Sequence, residues 1–102
     1  MKTETLMMVR VYLTESEHNA RQLLAMLRDE GVRGATLLRG VSGFGQSGKW
    51  HSADWADVIG DLPLILEVVD SADKVQKVLP KLLRQTKPRH VYCFPVEAVL
   101  SD

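Results

Sequence analysis

The chain has 102 residues, which by length is one domain, 1–102, with one hydrophobic core. Thirteen basic and thirteen acidic side chains cancel and form no basic stripe, so neither nucleic acid nor an anionic membrane is an expected partner. The single cysteine, Cys93, excludes an intrachain disulfide framework, and the N-terminal apolar run is too short for a signal peptide or membrane span, so we expect a cytoplasmic protein.

The first predicted strand covers residues 6–13, and both of its alternating faces are largely apolar. A sheet with one face in water would carry polar side chains on that face, so the second face must also be covered. A predicted helix follows from Ala20, with leucines at helical spacing, Ser16 or Asn19 as candidate cap and Gly31 as the C-terminal stop.

The second predicted strand, residues 35–41, runs into a segment with glycines at positions 40, 43, 45 and 48. Glycine weakens a strand because it packs no side chain, so this cluster around Phe44 predicts a turn or a close approach of a ligand to the backbone. Residues 46–60 show no sustained period and contain two tryptophans. We interpret them as a long loop of the kind that usually carries function.

The third predicted strand is residues 62–70, and Ser71 is the expected cap of a second helix with Pro80 inside it. Residues 91–96 form the fourth predicted strand. The order βαββαβ predicts an α+β, ferredoxin-like fold: a four-stranded antiparallel sheet with two helices on one face. The expected buried stripe of the second helix is Val75, Val78, Leu79, Leu82 and Leu83.

Helices cover only one face of such a sheet, so the open face must meet water or a partner. We assign Arg10, Tyr12, Arg39 and Glu67 to the open face, and expect oligomerisation to bury it. The two arginines and the glutamate should then compensate one another, because an unpaired buried charge is costly. The alternative is a partly wet sheet whose arginines extend to the solvent.

Several segments together resemble the domain-of-unknown-function 190 family (DUF190), a branch of the PII-like signalling proteins. The pattern G-A-T-x-x-R-G-x-x-G-F-G is far more specific than a lone glycine pair. The matching segments are EGVRGAT at 30–36, RG at 39–40, GFG at 43–45, DLP at 61–63, EVVD at 67–70 and LP at 79–80.

The resemblance implies a homotrimer built by packing the open sheet faces, with Arg10, Tyr12 and Glu67 at the interface. It also implies a regulatory function in which an adenine nucleotide (AMP, ADP or ATP) or another small effector binds in the clefts between subunits. The loop 46–60 would change shape with the ligand and dock on a membrane transporter, an ion channel or an enzyme. The partner-contact candidates in this loop are Lys49, Trp50, His51 and Trp55.

The resemblance places Thr36 near the adenine and the GFG segment at the base of the loop. Glycine backbones suit such a site because their N–H groups can surround an anion. The glycine-rich phosphate loop of PII proteins is absent, since residues 85–90 read QTKPRH, which favours AMP or ADP over ATP. The ligand-binding candidates are Thr36, Arg39, Gly43, Phe44, Gly45, Gln46, Lys87 and Arg89.

Two other functions remain open: a small ferredoxin-like enzyme with a cleft near His51, and an assembly subunit that binds no small ligand. The sequence contains no evident general-base pair, so we expect no catalytic residue. His51, Asp54 and Asp57 have helical spacing but lack the tight His or Cys set of zinc sites, so we expect no metal. Cys93 near His90 suggests a thiol nucleophile, but its mid-strand position predicts a buried, inert thiol.

Overall fold

The computed structural model describes residues 1–15, 19–52 and 62–102. Predictions that concern Ser16, Asp54, Trp55 and Asp57 therefore lie outside the described residues. In chain order the elements are β1 (Lys2–Thr14), α1 (Ala20–Asp29), β2 (Gly34–Arg39), β3 (Ser42–Phe44), β4 (Trp50–Ser52), β5 (Pro63–Asp70), α2 (Ala72–Arg84) and β6 (Val91–Ser101).

The main sheet is antiparallel and four-stranded, in the order β2-β5-β1-β6. This confirms the predicted ferredoxin-like arrangement. Strand β1 pairs with β5 only from Met7 onwards but pairs with β6 from Lys2, so residues 2–6 pair with β6 alone. Strand β6 runs to Ser101, well beyond the predicted end at Val96, because it follows this extension of β1.

Strands β3 and β4 form a separate two-stranded hairpin, in which Phe44 pairs with Trp50. The sequence analysis missed this hairpin, because three-residue strands rich in glycine and serine carry no readable alternation. The prediction of one continuous loop from Gln46 is therefore wrong for residues 50–52, which are strand.

The core lies between the two helices and one face of the main sheet. Burial alternates strictly along β5, as a sheet with one covered face requires. Leu83, predicted to be buried, is 51% exposed, because it is rotated about 100° around the helix from the buried Leu82. The most deeply buried side chains are Val9, Val11, Leu23, Leu27, Leu66, Val68, Val78 and Leu82.

Helix α1 ends at Asp29, and Gly31 terminates it as predicted. The backbone of Gly31 has a φ of +76°, its N–H donates to the Arg28 carbonyl at 3.0 Å, and the Val32 N–H donates to the Leu27 carbonyl at 3.2 Å. These two bonds form a Schellman motif, which satisfies carbonyls at the end of the helix and requires a left-handed residue. A glycine adopts that conformation without a steric penalty.

The start of helix α2 is capped as predicted, and the start of α1 is not. The Ser71 hydroxyl accepts the Lys74 N–H at 3.2 Å, which satisfies one of the free donors of the first turn. Asn19 makes no such bond to its own helix. Instead its side-chain nitrogen donates to the Gln85 carbonyl at 2.7 Å, which ties the start of α1 to the end of α2.

Asp70 holds the start of β2 against the start of α2. The residue is 7% exposed, and its carboxylate accepts the backbone N–H groups of Ser71 and Arg33, each at 2.7 Å. Burial raises the pKa of Asp70, but these two donors and the charges of Arg33 and Lys74 outweigh it, and the pKa lies below its ordinary value. Arg33 also donates to Glu4 at 3.0 Å, which fastens the extension of β1 to the same corner.

Strand β2 faces the opposite way from the prediction. Thr36 pairs directly with Glu67, and Leu38 with Ile65, so these residues share the open face. Arg39 pairs with the buried Leu64 and therefore lies on the helix side. Both faces of β2 mix apolar and polar residues, so its sequence alone does not determine which face is buried.

Candidate ligand-binding site

The open face of the sheet carries one ion pair among apolar and aromatic side chains. Arg10 of β1 donates to one oxygen of Glu67 on β5, from Nε at 2.9 Å and from Nη2 at 2.6 Å. The hydrogen bond to Glu67 raises the pKa of Arg10 above its ordinary value, so the guanidinium stays charged. The same guanidinium lies 5.3 Å from the ring centroid of Phe94, at cation–π distance.

Arg39, the predicted third member of this charge cluster, takes a different partner. Its Nη2 lies 2.6 Å from Oε1 of Glu15, away from the open face. The prediction that Arg39 shares the compensation is therefore wrong, because β2 presents its other face. Arg10 and Glu67 compensate each other without it.

Aromatic side chains surround this ion pair and remain exposed. The rings of Tyr12 and Tyr92 meet edge to face with centroids 5.7 Å apart, although the two residues are 40% and 52% exposed. Leu38 on the neighbouring β2 is 44% exposed. Contiguous apolar surface of this kind marks an interaction site more often than a wet surface.

A cavity of about 570 Å³ lies between this aromatic surface and the base of the β3–β4 hairpin. We call it the aromatic cavity. Three rings form one side of it, and the guanidinium of Arg89 adds positive charge, since that of Arg10 is paired with Glu67. Its lining residues are Tyr12, Tyr92 and Phe94, with Arg10, Arg89 and His90, and with residues 44–46 of the hairpin base.

A second cavity, of about 620 Å³, lies beside it, and we call it the glycine cavity. Glycine backbones at positions 40, 43 and 45, hydroxyl groups and two lysines line it beside the apolar side chains of Leu13, Pro63 and Ile65, so one part of its wall has the composition of an anion site. Its distinctive lining residues are Gly40, Gly43, Ser42, Ser47, Lys49 and Lys87. Both cavities share residues 44–46, Tyr12 and His90, and each is of the size that holds a small organic ligand.

Most of the predicted ligand-binding residues meet at these two cavities. Gly43, Phe44, Gly45, Gln46 and Lys87 line the glycine cavity, and Arg89 lines the aromatic cavity. Two predicted residues, Thr36 and Arg39, line neither of them.

Sequence reasoning missed the contribution of β6. Tyr92 and Phe94 pair with Arg10 and Met8 of β1, which places both rings on the open face. Their alternation along β6 was readable, but the side to which they belong depends on a pairing between strands at opposite ends of the chain. Tyr12 was predicted only as an interface residue, and it also lines both cavities.

The glycines of this segment serve two different purposes. A Cβ on Gly40 would lie 2.9 Å from Cγ of Pro63, and the Gly40 N–H donates to the Pro63 carbonyl at 2.7 Å, so this glycine allows β2 to leave the sheet. A Cβ on Gly45 would have no neighbour within 4 Å. Its lack of a side chain therefore relieves no clash and leaves the cavity edge open.

Residues 87–90 form a tight turn that delivers Arg89 to the aromatic cavity. The His90 N–H donates to the Lys87 carbonyl at 3.2 Å, and Arg89 has a φ of +65°. A non-glycine residue in this conformation is strained by about 1–2 kcal/mol. Such strain is typical of functional sites, where the surrounding structure holds a residue in an unfavourable conformation.

The β3–β4 hairpin presents two aromatic rings to the solvent. Phe44 and Trp50 are 63% and 66% exposed, and their ring centroids are 4.8 Å apart. Lys49 is exposed next to them, and His51 pairs with Gly43 through its backbone. The predicted partner residues Lys49, Trp50 and His51 thus belong to this hairpin and its turn.

The remaining sequence-based expectations concern the thiol, metals and the membrane. Cys93 is exposed, so the prediction of a buried thiol is wrong: the helices do not cover the edge strand β6. Among the residues whose side chains the structure describes, 1–15, 19–50 and 62–102, no three His, Cys, Asp or Glu side chains gather closely enough to hold a metal ion. No helix in the described ranges has the length and apolar character needed to cross a membrane.

Two solved structures from other organisms have this fold. A candidate PII-like signalling protein of Thermus thermophilus superposes with a TM-score of 0.67 and 22% identity, over 97% of this chain and 94% of that one. CPII of Thiomonas intermedia K12, a nitrogen regulatory PII-like protein bound to ADP, AMP and bicarbonate, gives a TM-score of 0.66 and 14% identity, over 95% and 91%.

Sequence comparison identifies the family of the chain. A UPF0166 protein of Aquifex aeolicus is 32% identical over 71% of this chain and 74% of its own length. Another, from Methanocaldococcus jannaschii, is 32% identical over 78% and 77%. The sequence model of DUF190, described as "Uncharacterized ACR", matches residues 6–98. The chain therefore has the fold of PII-like proteins and belongs to the DUF190 family.

Proposed function

We propose that this protein is a PII-like regulatory protein that binds an adenine nucleotide, AMP or ADP, at the base of the β3–β4 hairpin. The observation that carries the proposal is the junction of the two cavities at residues 44–46. One side offers aromatic rings, on which a purine can stack. The other offers lysines and hydroxyl groups, which suit phosphate.

The positive charge of the glycine cavity fits a short phosphate chain. Lys49 and Lys87 are the cations among its described lining residues, and Ser42 and Ser47 add hydroxyl donors. Two lysines nearly neutralise one phosphate group, which carries a charge of about −1.5 to −2 at pH 7, whereas each further phosphate adds negative charge that they do not offset. CPII, which shares the fold, binds ADP and AMP, and this similarity supports the same ligand class here.

We further propose that three copies pack through their open faces. Exposed rings around a compensated ion pair make this face suitable for burial, because Arg10 and Glu67 already satisfy each other. Both cavities are reached from this face through Tyr12, so a neighbouring copy would close them. Arg10, Tyr12 and Glu67 would then lie at the trimer interface, and each ligand between two copies.

The β3–β4 hairpin is the proposed link between ligand and partner. Residues 44–46 line both cavities, and Phe44 packs on the exposed Trp50, so a nucleotide at the base would change how these rings are presented. Exposed aromatic side chains are effective anchors in protein interfaces. We propose that residues 46–60 contact a transporter, channel or enzyme in the cytoplasm, and that the protein is a binding module with no catalytic activity.

Calorimetric titration with AMP, ADP and ATP tests the nucleotide site. Lys87→Ala should weaken AMP binding about tenfold or more, because a hydrogen bond to a charged group contributes about 1.5–3 kcal/mol. Lys77→Ala, which removes an exposed lysine from α2, is the matched control and should bind as the wild type does. The proposal is wrong if none of the three nucleotides binds and none of them raises the melting temperature with increasing concentration.

A pull-down experiment separates this function from that of an assembly subunit without a ligand. If the hairpin acts under nucleotide control, Trp50→Ala should abolish capture of the partner, and AMP should change the amount that the wild type captures. Capture that depends on Trp50 but ignores every nucleotide would favour the assembly subunit instead.

A further inference from the structure

The backbone at the start of β6 leaves the carbonyl of Tyr12 without its usual donor. The Tyr12 N–H donates to the His90 carbonyl at 2.9 Å, which is one half of an antiparallel hydrogen-bonded pair. The other half would run from the His90 N–H to the Tyr12 carbonyl. That N–H instead closes the turn by donating to the Lys87 carbonyl at 3.2 Å.

The imidazole of His90 supplies the missing donor. Its Nδ1 lies 3.2 Å from the Tyr12 carbonyl oxygen. A carbonyl oxygen can only accept a hydrogen bond, so the proton of the neutral ring must be on Nδ1. This pairing with the backbone fixes both the orientation of the ring and its tautomer.

The fixed tautomer determines what the other edge of the ring can do. With the proton on Nδ1, the Nε2 atom of the neutral ring is a hydrogen-bond acceptor and cannot donate. His90 lines both the aromatic and the glycine cavity, so the ring lies where the two join. Arg10, Arg89 and Lys87 line the cavities around it and can only donate, so Nε2 supplies an acceptor among these cations.

We propose that His90 is a specificity residue of the nucleotide site, and that its Nε2 accepts a hydrogen bond from an N–H or O–H group of the ligand. This inference rests on the proposed function and names the chemistry that it requires of the ligand. In an adenine nucleotide such a donor is the exocyclic amine or a ribose hydroxyl. A ligand without it leaves the acceptor unpaired and binds more weakly.

The substitution His90→Asn tests the inference, because it separates the two nitrogen atoms. The asparagine amide can still donate to the Tyr12 carbonyl from the position of Nδ1, but nothing replaces Nε2. Titrations of wild type and variant with AMP, IMP and 2′-deoxy-AMP show which donor is read: IMP lacks the exocyclic amine, and 2′-deoxy-AMP lacks one hydroxyl. Melting curves without nucleotide establish that the variant is folded.

We expect the wild type to bind one of the two analogues about five- to tenfold more weakly than AMP, as the loss of one hydrogen bond predicts. His90→Asn should bind AMP more weakly by a similar factor and should no longer discriminate that analogue. Equal affinities of wild type and variant for AMP would overturn the inference and leave the nucleotide site intact. Equal weakening of all three ligands with the discrimination retained would also overturn it, since His90 would then read the phosphate. A wild type that binds no nucleotide overturns the proposed function and this inference together.

Nitrogen NMR of the wild-type protein provides a readout that does not depend on the variant. The ¹⁵N shifts of the His90 ring should show a protonated Nδ1 and an unprotonated Nε2 without ligand. Addition of AMP should move the Nε2 resonance and leave Nδ1 protonated. A proton on Nε2 in the free neutral ring, or an Nε2 resonance that ignores saturating AMP, contradicts the proposed role.

Discussion

Replacing Arg89 by glycine should raise the free energy of unfolding and lower the affinity for the proposed ligand. Arg89 has a φ of +65° in the turn that begins at Lys87, a conformation in which glycine is favoured. Its side chain lines the aromatic cavity. Arg89 therefore carries backbone strain in the folded state and also has a proposed role in binding, and the substitution removes both.

The size of the gain follows from two opposing contributions. A side chain in the left-handed region costs about 1–2 kcal/mol relative to glycine. Glycine also makes the unfolded chain more flexible, which costs about 0.4–1 kcal/mol of stability. The net free energy of unfolding should thus rise by about 0.5–1 kcal/mol, which raises the melting temperature of a domain of this size by about 4 °C.

Thermal unfolding, measured by circular dichroism at one protein concentration with and without AMP, tests this prediction. Arg89→Ala is the matched control, because it removes the guanidinium but keeps the Cβ and its strain. Both variants should bind AMP at least about tenfold more weakly, since each loses a charged donor. Only Arg89→Gly should melt above the wild type when no ligand is present.

The reasoning fails if Arg89→Gly melts at or below Arg89→Ala without ligand, because the strain would then not be real. It also fails if both variants bind AMP as tightly as the wild type. In that case the Arg89 guanidinium, which the strained turn places at the cavity, would make no contact with the ligand.

Three further predictions concern the clamp at the end of β5, the glycines and the open face. Asp70→Asn should lower the free energy of unfolding by about 1–3 kcal/mol at pH 7, because one of two backbone N–H groups loses its acceptor. The pKa of Asp70 is depressed in the folded protein, so this stabilisation is complete above the ordinary value of 3.8 and is lost as the pH falls through the folded value. In urea unfolding, the free energies of unfolding of the variant and the wild type should converge as the pH falls into the acid range. A difference between them that stays constant with pH would refute this explanation. Gly40→Ala should lower the free energy of unfolding by about 1–3 kcal/mol, because the added methyl group would overpack against Pro63. Gly45→Ala should change the free energy of unfolding by less than about 0.5 kcal/mol and should weaken AMP binding. Equal melting temperatures of the two variants would contradict this difference. If three copies assemble as proposed, Glu67→Ala should shift their dissociation to a protein concentration at least about tenfold higher in sedimentation experiments, because it leaves Arg10 unpaired in the proposed interface; unchanged assembly would show that this ion pair lies outside any interface.

The sequence was most informative where local chemistry decides the structure. The cap at Ser71 and the stop at Gly31 can be read without tertiary information, and the structure has both. Together with the order of the elements they were sufficient to predict the fold. The family resemblance predicted that residues 43–46 bind a ligand; these residues line the glycine cavity, and their role in binding stays a prediction.

What escaped prediction depends on which strands lie side by side. Arg39 was assigned to the wrong face, because the sequence of β2 is similarly mixed on both sides and only its register with β5 decides. Tyr92 and Phe94 join the site through pairing with β1, which lies at the other end of the chain. The role of His90 depends on one diverted backbone N–H, which no sequence pattern records.

Because β1 pairs with β6, the main sheet can be completed only after β6 has been synthesised. Strand β1 is synthesised first but lies inside the sheet, between β5 and β6, and residues 2–6 have β6 as their strand neighbour. A nascent chain arrested before Val91 therefore exposes one full edge of its central strand, which is a template for misassembly. The sheet closes only when the last strand has left the ribosome, so chaperones that shield exposed strand edges should act on this protein during translation.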